Sequence, residues 1–425
     1  MNQAKEFALD LINFLDKSPT ASHTIETSAE ILKANGFKEI KESDKWEIKP
    51  GDKFYVIRHN TSLIAAIAGN SEITESGYTC IGSHTDSPTF TLKPNSVYKK
   101  DGFIQLGVEV YGGPLYSTWT NKELSLAGLV AVKNGNDVEL KLVKIDRPIL
   151  MIPQVAIHFN RDANTGLNLN PQTHMAPIMG ISGEEVDNNL LKNLLGKELG
   201  IKSSEIVGFE LELIDLEKGR LAGLNEEFIA SRGIDNKSMV HASIHALIES
   251  GVSEKTSVIA LFDSEEVGSS TTNGGNSSFV KDFLTRISGG TEQFLRATSL
   301  SYFMSADGAH AVHPNYPEHT EFMHKVYINK GPAVKISSRK NYATNINASA
   351  LFEKICVENN IPLQKFVNRA DVRGGGTIGS MIATNLGIRT LDLGNPMLAM
   401  HSTREIAGVE DHLHMKNAMK QFLKR

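Results

Sequence analysis

Apolar residues recur at helical spacing over residues 4–15 and 25–35, the second run closed by Gly36, and then give way to two strand-like apolar runs at 54–58 and 63–68. From about residue 90 to 216 the pattern changes. Short β-rich segments follow one another at 104–111, 124–132, 138–145 and 210–215, with turn pairs such as Asp101-Gly102 and Asn134-Gly135 and one polar helical stretch near 184–199. This reads as an inserted, mainly β domain. After about residue 225 long helices alternate with buried strands again: 236–249, 279–287, 348–358 and 377–385 as helices, and 258–262, 300–304 and 390–393 as strands. Such alternation indicates an α/β sheet. The expected architecture is an α/β, mixed-sheet domain built from 1–88 and 227–425, interrupted by an inserted domain at 89–226.

In open α/β sheets the ligand crevice lies outside the carboxyl ends of the strands, so residues closing apolar runs are the first place to look for chemistry. Six acidic or histidine residues meet that description: His84, Asp235, Glu265, Glu266, Asp307 and His401. His84 is followed two residues later by Asp86, the type of partner that takes the other ring N–H of a ligating imidazole. Glu265 and Glu266 leave the strand at 258–262 together, which lets one carboxylate ligate a cation while its neighbour accepts a proton from water. Taken singly, each residue has a bland reading: Asp235 as a helix N-cap, Asp307 as a turn residue, His401 as a buried histidine. Five potential ligands and a spare glutamate, all at strand or loop ends, make coincidence improbable. His241 and His245 share the i, i+4 spacing of a zinc helix, but Ala242 stands where the catalytic glutamate would be, so they read as packing or helix-surface histidines. Arg373-Gly374-Gly375-Gly376-Thr377 lacks the spacing and lysine of a phosphate loop and reads as a close backbone approach to a ligand carboxylate or carbonyl.

Composition narrows the partners. The 425 residues suit two domains, and the net charge of -5 comes from interspersed signs. No sustained basic face suits nucleic acid or an anionic membrane. Cys80 and Cys356 are the only cysteines, too few for a disulfide framework or a CxxC site. Asp10 and Asp16 interrupt any signal-peptide core in the N-terminal segment, and no stretch approaches the ~20 apolar residues of a membrane span. A soluble, unprocessed cytoplasmic protein is expected.

The runs Ser83-His84-Thr85-Asp86-Ser87-Pro88, Ala156-Ile157-His158, Asp263-Ser264-Glu265-Glu266-Val267-Gly268-Ser269, Ser305-Ala306-Asp307-Gly308-Ala309-His310-Ala311-Val312-His313-Pro314-Asn315-Tyr316 and Leu398-Ala399-Met400-His401-Ser402 resemble the M18 family of metalloaminopeptidases, best known from the aspartyl aminopeptidases. The likeness covers essentially the whole chain. It implies two divalent ions per subunit, with zinc first and manganese or cobalt as alternatives. His84 and Asp307 would be terminal ligands of one ion, Glu266 and His401 of the other, Asp235 the bridge and Glu265 the general base. It further implies that the inserted domain builds dimers that assemble into a tetrahedral dodecamer. His158 would reach a neighbouring subunit's site, and His313 and Lys335 would lie near bound substrate. Asn121, the stretch Thr271-Thr272-Asn273-Gly274-Gly275-Asn276 and the Arg373 loop depart from the family pattern. These departures bear on side-chain preference.

The expected activity is removal of the N-terminal residue from peptides, with acidic (Asp/Glu) N-termini modestly ahead. Neutral or broad specificity is the first alternative and a related two-metal deacylase or carboxypeptidase the second. A non-enzymatic assembly protein is the least favoured, because a structural metal site has no need of Glu265.

Overall fold

The structure is a computed structural model and describes residues 2–372 and 374–425, so Arg373 of the glycine-rich loop lies outside the described residues. Two compact units share the chain. The first comprises Met1–Asp86, Gly219–Met400 and Glu405–Arg425, the second Ser87–Lys218 with His401–Arg404.

A nine-stranded mixed sheet organises the first unit, in the order Lys38–Glu39, Lys53–Arg58, Ser62–Ile67, Thr256–Phe262, Tyr78–His84, Tyr302–Ala306, Arg389–Gly394, Ala333–Ile336 and Gln364–Val367. Its four central strands, Thr256–Phe262 to Arg389–Gly394, run parallel, and antiparallel neighbours flank them on both sides. Successive strand side chains point to opposite faces. Tyr55, Leu63, Ile81, Ile259 and Met304 therefore pack to one side, against Val240 and Leu247 of the helix Ile234–Ser250, Phe352 of Ile346–Glu358, and Met415 and Phe422 of Val409–Leu423. Phe54, Ile64, Cys80, Val258 and Phe303 pack to the other, against Phe279 and Phe283 of Phe279–Ile287 and Ile382 of Ile378–Leu386. Full burial of a large apolar side chain stabilises a fold by ~1.5–3 kcal/mol, so this alternation fixes the register and thereby which residues stand at the strand ends.

A smaller sheet, Arg220–Ala222, Phe228–Ser231, Glu405–Gly408, Pro396–Leu398 and Ala309–His310, belongs to the same unit. Residues 219–226, read above as part of the insertion, fall here because Arg220–Ala222 pairs antiparallel with Phe228–Ser231, Leu221 opposite Ile229.

In the second unit six antiparallel strands run in the order Asp137–Lys144, Leu124–Asn134, Ile206–Asp215, Thr89–Lys100, Phe103–Tyr111 and Ile178–Ile181. The helix Asn188–Leu199 begins where the Asp187 carboxylate accepts the Asn189 N–H and ends at left-handed Gly200. Its Leu191 and Leu195 enter a core built on Phe90, Trp119, Leu126 and Leu213. The same unit leaves Val155, Phe159 and Ile181 exposed, Phe159 at 85%.

Candidate metal centre

The parallel register sets the site. Phe262 pairs with His84 and Ser305 with Gly82, so the chain leaves three adjacent strands along one edge and delivers His84, the segment Asp263–Glu266 and Asp307 beside one another. Asp235 arrives from the smaller sheet. Gly233, not Asp235, occupies the N-cap position of the helix Ile234–Ser250, and the peptide between Asp235 and Asn236 is cis. Two bonds hold that corner: Asn236 donates its side-chain N–H to the Ala306 carbonyl at 2.8 Å, and the Asp235 N–H donates to the Glu405 carboxylate at 3.0 Å.

His84 Nε2 consequently lies 3.5 Å from Asp235 Oδ1 and 3.7 Å from Asp307 Oδ1, while its Nδ1 faces the Asp86 carbonyl at 3.1 Å and carboxylate at 3.3 Å. The Asp86 side gives Nδ1 a place to keep its hydrogen, leaving Nε2 as the ligand atom. Asp86 also accepts the backbone N–H groups of Glu265 (3.2 Å) and Glu266 (3.1 Å), so one carboxylate orients both the histidine and the glutamate pair. Ser264, held at φ 63°, makes the tight turn that brings those two N–H groups round. His84, Asp235 and Asp307 each offer a ligand atom within 4.8 Å of the others, as do His84, Glu265 and Glu266.

The electrostatics fit cations. Burial pulls the His84 imidazolium down, but the Asp235, Asp307 and Asp86 carboxylates outweigh it and hold its pKa well above the ordinary value. Glu265 is pushed up to about 7, first by burial; His84 opposes the rise, and Asp307, Asp86 and Asp235 add to it. Burial pulls the pKa of Lys335, only 3% exposed, down most strongly, but Asp307, Tyr342, Asp392 and Asp235 together outweigh it and hold the pKa above the ordinary value; its Nζ lies 3.7 Å from Asp307 Oδ2. Five carboxylates gathered around one imidazole and one ammonium leave a buried excess of negative charge, which is costly unless cations offset it. The donors are nitrogen and oxygen without thiolate, a set that suits zinc and also accepts manganese or cobalt.

The remaining sequence candidates come from other segments of the chain. His401 occupies the turn of the hairpin Pro396–Leu398/Glu405–Gly408 rather than the end of the strand before it, because Gly394 closes that strand and the chain re-enters the smaller sheet. The turn residues 401–404 group with the second unit, where His401 Nδ1 meets the Gly113 carbonyl at 3.2 Å. His158 is exposed in a turn of that unit. His313 lines a cavity of about 550 Å³ in the first unit, together with His310, Phe366, Arg369, Met397 and Met400. Sequence reasoning passed over Glu405, a lone glutamate in a short strand, and gave no role to Arg369.

A family model described as Aminopeptidase I zinc metalloprotease (M18) matches residues 14–423. A protein of Clostridium novyi named a probable M18 family aminopeptidase 2 is 43% identical over 430 residues, covering 99% of each chain. Among solved structures, Ape4 in its complex with Nbr1 superposes with a TM-score of 0.96 at 37% identity, over 99% of this chain and 86% of that one. The mApe1 dodecamer of S. cerevisiae gives a TM-score of 0.87 at 28% identity, over 99% and 97%.

Proposed function

The chain belongs to the M18 family and is a metalloaminopeptidase, and from that premise we propose that it removes N-terminal residues from peptides with two divalent ions held by His84, Asp235, Glu266, Asp307 and His401. The observation that carries the reading is the convergence of His84, Asp235 and Asp307 with the Glu265–Glu266 pair at the ends of adjacent parallel strands. When bound, the ions supply a Lewis acid for the scissile carbonyl and make water a nucleophile near neutral pH. Glu265 takes the proton of the attacking water and returns it to the leaving amine, work that requires a carboxylate titrating near the operating pH. Asp86 positions both His84 and the glutamates. Asp235 would serve both ions, His84 and Asp307 would hold one of them, and Glu266 and His401 the other.

The second unit, in this proposal, builds dimers that assemble into a tetrahedral dodecamer and carries His158 to a neighbour's site. Its exposed Val155, Phe159 and Ile181 are apolar surface of the kind that marks protein interfaces, and one matching structure is a dodecamer. Among the described residues no helix is long and apolar enough to cross a membrane, and both cysteines are free and buried. We place the enzyme in the cytoplasm, where thiols stay reduced.

Acidic N-termini are the proposed preference, supported by His310 and His313 in the cavity wall. One observation favours the neutral or broad alternative: the Lys335 ammonium is turned to Asp307. Aminoacyl reporters with free and blocked amines, assayed on protein of measured metal content, test the whole reading. Cleavage of free-amine substrates only, with kcat/KM for aspartyl and glutamyl reporters above leucyl, is expected. Equal cleavage of N-blocked substrates would favour a deacylase, and a preference for leucyl that Lys335→Met leaves unchanged would remove the acidic pocket alone.

A further inference from the structure

Beyond the proposed active site, the helix Ile234–Ser250 presents a second set of donors. His241 and His245, one turn apart, both direct Nε2 at Asp10 of the helix Gln3–Lys17, with Nε2 to Oδ2 distances of 3.2 and 3.3 Å. These three atoms lie within 4.8 Å of one another. In tetrahedral zinc sites with bonds of ~2.0–2.1 Å the ligand atoms stand about 3.3 Å apart, so the spacing is already that of a coordination edge.

We propose that Asp10, His241 and His245 form a separate divalent-cation site, of zinc type, whose remaining coordination position opens to solvent on the Asp10 side.

Three further observations support it. His245 Nε2 is buried and makes no hydrogen bond, although Asp10 Oδ2 is 3.3 Å away; a buried, unsatisfied ring nitrogen in a polar cluster calls for an explanation such as an ion. His241 Nδ1 lies 2.9 Å from His412 Nε2, so an acceptor is at hand for the Nδ1 hydrogen in the tautomer the site requires, in which His241 Nε2 presents its lone pair to the ion in place of its 3.2 Å contact with Asp10. The third concerns charge state, since only a neutral imidazole can ligate. Burial pushes His241 below the ordinary histidine value and His245 to about 4, so both are neutral at pH 7. The Lys416 ammonium, which acts on both histidines, is held by Glu249 at 2.7 and 2.9 Å, and Lys17 acts on Asp10. Phe7 packs against the His241, His245 and His412 rings.

The site would tie the first helix to the helix whose opening turn carries Asp235. Its test is an ion count on the full-length protein, stripped with chelator, titrated with zinc and freed of excess by gel filtration. His245→Gln and, independently, Asp10→Asn should each bind one equivalent fewer than wild type while keeping aminopeptidase activity. Zinc added after the active site is filled should raise the Tm of wild type and of neither variant. Identical counts in all three proteins would overturn the site, and so would a lost equivalent that takes activity with it, because the ion would then belong to the catalytic centre.

Discussion

One helix, Ile234–Ser250, serves two titratable clusters of opposite character. At its first turn Asp235 joins carboxylates at the strand ends, where the His84 imidazole is driven toward its charged form. Two turns later His241 and His245 meet a single carboxylate, and burial drives the histidines toward their neutral form. Negative excess in the first cluster creates a demand for cations. In the second, neutral nitrogen donors around one anion offer a cation a fit without demanding it. The proposed catalytic centre should therefore lose function when its ions go, whereas the helix cluster should only lose stability.

The largest expected break in this contrast is Asp235→Ala. If Asp235 bridges, removing it lowers the occupancy of both catalytic ions and abolishes turnover, whereas His401→Ala chiefly weakens one ion. Metal analysis that finds two tightly bound catalytic ions in the Asp235 variant would end the bridging role.

Glu265→Gln comes next. The amide keeps the shape of the side chain but accepts no proton, so kcat should fall by ~10²–10⁴-fold with both ions retained. Near-normal kcat in metal-loaded protein would remove Glu265 as the base.

The strand-end cluster was legible in the sequence because a parallel sheet turns a local signal, an apolar run closed by a titratable residue, into a common place in space. His84, Glu265, Glu266 and Asp307 were found that way. The same signal named His401, but the strand it was assigned to ends at Gly394 and His401 stands instead in a hairpin turn of the smaller sheet. The C-terminal helix Val409–Leu423 escaped notice because His412, Lys416 and Asp411 are buried polar residues that blur its apolar stripe. The helix cluster was illegible for another reason. The i, i+4 histidines were visible, but their carboxylate partner lies more than two hundred residues away in Asp10, which in sequence is only a polar break in an amphipathic helix.

The smallest effect concerns pH in the metal-free protein, where the clusters should act with opposite sign. Glu265, raised from 4.5 to about 7, holds a proton in the folded state that the unfolded chain has released, so its part of the stability falls as pH rises through that window. His245, lowered from 6.5 to about 4, is neutral when folded and protonated when unfolded, so its part grows over the same rise. Denaturation midpoints at pH 4, 5.5 and 7 should show the downward contribution reduced in Glu265→Gln and the upward one reduced in His245→Gln. Bound cations should erase the Glu265 contribution by favouring its ionised form. Parallel pH curves for wild type and both variants would contradict the contrast.

The most direct test of the metal centre is anomalous diffraction from zinc-loaded crystals. The account predicts two peaks at the strand-end cluster with Asp235 contacting both, one of them beside His84 and Asp307. A single peak there in fully active protein, or two peaks that do not share Asp235, would contradict it.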